Sequence, residues 1–132
     1  MTTCLAALTG TDQDRSIAVD VLERLSAVAA PAPVGHTSIL NALDLHLRGL
    51  SIVVVNDADG TLTRAALRLP YLERTVVAVR DAASLPEDHP ASALARSVKG
   101  PTAMVCAGMR CSLPVTAAGG LAKLAREMLA RN

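Results

Sequence analysis

Ser51-Ile52-Val53-Val54-Val55-Asn56-Asp57-Ala58-Asp59-Gly60-Thr61-Leu62 runs from an unbroken β-branched segment through a polar turn into the start of a helix. The four consecutive apolar residues Ile52 to Val55 show no alternation, so the strand they predict is buried on both faces and requires covering layers. Asn56 to Gly60 reads as the turn, Thr61 to Leu69 as a helix, and the β-branched run Thr75 to Val79 as a second strand. Strand, helix and strand at this spacing form a βαβ unit, expected to be parallel and right-handed.

Upstream, residues 11–30 repeat Ile17, Val21, Leu25 and Val28 at helical spacing, which predicts a helix with this stripe as its buried face and Thr11 or Asp12 as its cap. Pro31 and Pro33 end it. A second helix follows, capped by Thr37 or Ser38, with Ile39, Leu40, Leu43 and Leu47 as its apolar stripe and Gly49 as a left-handed terminator. Downstream, residues 80–101 contain Pro86, Pro90 and Pro101 and read mostly as loop, with a short helix at Ala91 to Val98. Thr102 to Cys106 and Arg110 to Val115 read as a hairpin around Gly108, which can supply a positive φ. A last helix, Ala117 to Ala130, places Leu121, Leu124, Ala125, Met128 and Leu129 on one face. The fold class is therefore α/β: two N-terminal helices, a βαβ unit, a C-terminal β-hairpin and a terminal helix, forming a small mixed sheet covered by helices. Residues 1–132 are expected to form one domain, with a helical pair over 1–50 and a small α/β unit over 51–132.

The chain has 132 residues, a length at which a single domain buries about two thirds of its unfolded surface. It is 51% apolar, yet no apolar run reaches the ~18 to 20 residues of a membrane span. Tyr71 is the one aromatic residue, and 13 Lys+Arg against 12 Asp+Glu leave a net charge of +1. Stacking platforms and basic surfaces for nucleic acid are thus missing. No basic residue precedes Arg15, so the start lacks the charged region of a secretory signal, and a cytoplasmic location is expected. Cys4, Cys106 and Cys111 are few and odd in number, which makes reduced thiols the default.

Val53 to Leu62 resembles the opening motif of haloacid dehalogenase-like phosphatases. The resemblance implies Asp57 as nucleophile and Asp59 as general acid and base beside magnesium. The same Asp, Asn and Gly residues are also what a strand-to-helix turn with a helix cap requires. Cys106 and Cys111, separated by four residues, fit facing positions on the hairpin. They are read as packed thiols, with a cross-strand disulfide under oxidation or a redox switch as alternatives. His36, His46 and His89 have no metal-motif spacing and read as surface or helix-end residues; no metal or cofactor is implied.

Gly100-Pro101-Thr102-Ala103-Met104-Val105-Cys106-Ala107-Gly108-Met109-Arg110-Cys111-Ser112-Leu113-Pro114-Val115-Thr116, followed by an amphipathic helix, resembles the C-terminal signature of YyaL-like (spermatogenesis-associated thioredoxin-domain) proteins. The upstream order of helix, Pro turn, helix ending Ala42-Leu43-Asp44 and strand Ile52 to Val55 resembles that family's tail as well. The resemblance implies longer relatives with a thioredoxin-like domain and an α/α barrel, of which residues 1–50 would match at most the last helical pair. With no catalytic motif in the sequence, a structural or interaction role is expected, and a helical pair removed from such a barrel would expose an apolar face that a second copy or a partner chain would cover.

Overall fold

The computed structural model describes Thr9, residues 11–71 and residues 73–130. Cys4 and the rest of the N-terminal stretch up to Gly10 lie outside them, apart from Thr9. Helices α1 (Asp12–Ala29) and α2 (Thr37–Arg48) are joined by a 3-10 turn, Pro33–His36. The βαβ unit follows as β1 (Leu50–Val55), α3 (Thr61–Leu67) and β2 (Arg74–Val79). A 3-10 turn (Ala82–Ser84), α4 (Ser92–Ser97), β3 (Thr102–Ala107), β4 (Arg110–Cys111) and α5 (Ala118–Ala130) complete the order. The sheet is mixed, in the order β2-β1-β3-β4. β1 pairs parallel with β2, Leu50 beside Arg74, and antiparallel with β3, Leu50 opposite Ala107.

The continuous apolar run of β1 puts its alternate residues into two separate cores. Leu50, Ile52 and Val54 pack with α3 and α5 through Leu62, Ala66, Leu121, Ala125 and Met128, and Tyr71 lies partly buried against this layer. Val53 and Val55 face Ala82, Leu85, Ala91, Ala95, Met104 and Cys106 on the other side. Each large aliphatic side chain withdrawn from water here contributes about 1.5–3 kcal/mol before the cost of ordering the chain. The reading of residues 80–101 as mostly loop around one short helix holds, α4 spanning Ser92–Ser97, yet the segment also supplies the second layer. Its prolines leave only short helical turns, but Ala82, Leu85, Ala91 and Ala95 point together and seal one face of the sheet.

Several local expectations hold. Thr11 caps α1 by accepting from the Asp14 amide at 3.2 Å, and Gly108 has φ +55° at the hairpin. The terminal helix buries Leu121, Ala125 and Met128 from the expected stripe. Others do not hold. In α1 the buried residues are Ala18, Leu22 and Ala29, while Ile17, Leu25 and Val28 are 46%, 40% and 57% exposed. This helix carries two neighbouring apolar stripes, and the one with the small alanines allows the closer approach. The Gly49 backbone is extended, at φ −62° and ψ 140°, not left-handed. Glycine suits the site for another reason: a Cβ there would lie 2.2 Å from the Leu45 carbonyl oxygen. No side chain caps α2, whose first turn continues the preceding 3-10 turn.

The strand expected over Arg110 to Val115 stops at Cys111, with one further bridge between Val115 and Ala103. Ser112 accounts for the break, because its hydroxyl rather than a backbone carbonyl accepts from the Val105 amide at 3.0 Å. Pro114 then has no N–H to offer.

Candidate functional site

β1 and β2 end side by side, and at their carboxyl edge the chain turns through Asn56 to Gly60 into α3. Parallel strands commonly present ligand sites at such an edge. A cleft of about 700 Å³ opens there, lined among others by Asn56, Asp57, Thr63 and Arg80. Two residues shape the turn: Asn56 has φ +58° and Gly60 φ +71°. Asn56 suits this conformation because its short polar side chain tolerates the left-handed region. Its amide also donates to the Gly100 carbonyl at 3.3 Å, which fastens the turn to the segment entering β3.

Asp57 is held by the helix it precedes. One carboxylate oxygen accepts from the Thr63 amide and the Thr63 hydroxyl, both at 2.8 Å, and the other accepts from the Leu62 amide at 3.3 Å. Burial raises its pKa, but the Thr63 and Leu62 donors outweigh that and hold the carboxyl below the ordinary range. Asp59 points back onto the same first turn, accepting from the Thr61 amide at 2.9 Å, while Arg64 donates to the Asp59 carbonyl at 3.0 Å. The two aspartates thus share one loop, but their carboxylates serve free backbone donors of α3. Among the described residues, no group of three or more His, Cys, Asp or Glu side chains comes together to hold a metal ion.

Cys106 and Cys111 are opposite one another on β3 and β4 and are joined as a disulfide, with Cα atoms 4.0 Å apart. This corrects the expectation of packed free thiols. The two-residue turn Gly108-Met109 makes Ala107 and Arg110 the closing pair, so the cysteines fall at the next, narrow position of the ladder, where side chains approach most closely. Cys106 is buried in the second core and Cys111 only partly. The cysteine pair and the aspartate loop lie at opposite ends of the sheet, because Ser51 pairs with Cys106 whereas Val55 pairs with Thr102.

His36 and His46 lie in the helical pair, His36 Nδ1 being 2.9 Å from the Ala32 carbonyl oxygen. His89 is different: it is 4% exposed, which corrects its reading as a surface residue. Its Nδ1 accepts from the Ala91 amide at 3.1 Å, so the neutral ring carries its proton on Nε2. Burial first, then the Arg15 charge, push its pKa down, with Asp88 opposing them. The neighbouring Asp88 accepts from the Asp12 amide at 3.0 Å and ties the start of α1 to this loop. A histidine between two loop prolines gives no sequence sign of burial, so this junction could not be read beforehand.

The remaining feature of note is the outer side of the helical pair. Ile17, Leu25 and Val28 of α1 and Leu40 and Leu47 of α2 are exposed, Leu47 by 60%. Neither sheet-centred core includes a residue of either helix. Among the described residues, no helix is long and apolar enough to cross a membrane. Compared with protein-family models, curated proteins and solved structures, the chain matches none.

Proposed function

We propose that this chain is a non-catalytic structural or interaction domain of the cytoplasm, related to the C-terminal region of YyaL-like proteins, whose helical pair docks on another protein surface. The observation that carries this reading is the outward apolar stripe of α1, with Ile17, Leu25 and Val28 at 46%, 40% and 57% exposure beside Leu40 and Leu47 of α2. Scattered surface leucines are ordinary, but a stripe repeated along one helix, with two further exposed leucines one heptad apart on the next, is the pattern of a covered face. The partner fitting the resemblance is a chain that supplies the thioredoxin-like and barrel modules. The occupied carboxylates of Asp57 and Asp59 agree with a role that is not catalytic.

The test is affinity purification of the chain from its own cell lysate, beside a Leu25→Glu, Val28→Glu variant with an unchanged circular dichroism spectrum. Recovery of a thioredoxin-like or barrel-containing protein with the wild type, and its loss with the variant, is the expected result. Recovery of the chain alone in both preparations would overturn the reading.

A further inference from the structure

The hydrogen-bond directions of β2 identify a second surface. Leu50 N donates to the Glu73 carbonyl at 2.9 Å and Asn56 N to the Val79 carbonyl at 3.2 Å. Residues 73, 75, 77 and 79 therefore turn their backbone groups toward β1. Alternation along a strand directs the N–H and C=O groups of Arg74, Val76 and Ala78 the other way. β2 ends the sheet, and among the described residues no strand pairs with that outer side. β2 contains no proline, and its charge is confined to Arg74 at its start, with Arg80 just past its end, so Thr75 to Val79 between them carry neither of these protections of a strand edge. The side chains of β2 are only partly covered, whereas nearly all of β1 and all of β3 are buried.

We propose that two copies of this chain join along β2, antiparallel about a two-fold axis at Val76, to make one continuous sheet. A two-fold axis through a strand edge necessarily sets that strand against itself, and outward residues must then meet outward residues. Centring on Val76 pairs Val76 with its own copy and Arg74 with Ala78, giving about six new backbone hydrogen bonds. Sliding one hydrogen-bonded step toward the carboxyl end would put Arg74 opposite Arg80, a like-charge pairing that opposes that register. Sliding the other way shortens the overlap. The chosen register leaves both α3 helices on the same side of the seam, where Leu67 is 56% exposed. The end of α3 is fixed beside β2, since Arg74 Nη2 donates to the Leu67 carbonyl at 2.6 Å. No residue of α1 or α2 belongs to the paired strands of the seam.

Sedimentation equilibrium of the full chain from micromolar to millimolar concentration, with amide hydrogen exchange at both ends of the range, tests it. A dimer is expected, with the Val76 and Ala78 amides slowed at least tenfold as it forms. Ala78→Pro removes an outward N–H without touching the ladder to β1 and is expected to give a folded monomer. Ala78→Lys at the same exposed position is the second variant, in case the proline perturbs folding. Leu25→Glu is expected to leave this dimer intact. A wild type monomeric at millimolar concentration, or a dimer with unprotected Val76 and Ala78 amides, overturns the proposal. So does a dimer that survives both Ala78 substitutions, or one lost only with Leu25→Glu.

Discussion

Asp57 spends its charge on three donors of the first turn of α3, so its removal should be felt in stability before it is felt in any reaction. Asp57→Ala is expected to lower unfolding free energy by about 1–2 kcal/mol, measured by urea denaturation. Magnesium-dependent turnover of a generic phosphomonoester by the wild type is expected to stay at background. Turnover that Asp57→Ala abolishes would restore the phosphatase reading. Acid should act on this molecule in two windows. His89 is held neutral below the ordinary histidine value, so the unfolded chain binds its proton first. Stability is then complete above about pH 6.5 and falls as pH drops toward the lowered folded value. Asp57 and Asp14 have folded pKa values below the carboxylate range, so their stabilisation is present above about pH 3.9 and disappears as pH falls through those folded values. Calorimetric melting against pH should show both steps, and His89→Gln should remove the first. A single acid step in the wild type would contradict the buried neutral ring.

The elements of the α/β unit were legible because each carried one unambiguous pattern. Four β-branched or apolar residues in a row, Ile52 to Val55, leave no register to choose, and the C-terminal helix had a single apolar face. α1 was misread because Ile17, Val21, Leu25 and Val28 compete with Ala18, Leu22 and Ala29, and periodicity cannot say which stripe finds a partner. The layer over residues 80–101 was missed since short turns broken by proline have no period to detect. In the candidate site the loop residues were visible, but the direction of their carboxylates depended on Asn56 adopting a positive φ. At the hairpin, facing positions could be read, whereas the bond between the sulfurs could not. Reduction of Cys106–Cys111 is expected to lower stability by about 2 kcal/mol, the order expected for closing so short a loop, seen as a shifted denaturation midpoint with a phosphine reductant. An unchanged midpoint with both thiols titratable would show that the Ser112 hydrogen bonds alone hold the hairpin.

For the molecule as a whole, the Asp12 amide donating to Asp88 is a polar tie between α1 and the loop before α4. Asp88→Ala is expected to reduce overall stability by about 1 kcal/mol, checked by urea denaturation. It should also speed amide exchange in the first turn of α1 more than in β1. Equal acceleration in both would mean that the two parts open together. Tyr71 makes such experiments unusually easy to interpret. It is the one aromatic side chain in the sequence and rests on the α3 and α5 layer just ahead of β2. Every near-ultraviolet emission signal therefore originates from that single spot. The chain is a natural single-fluorophore protein, blind to events at the hairpin and sensitive to the unseating of one corner of the sheet.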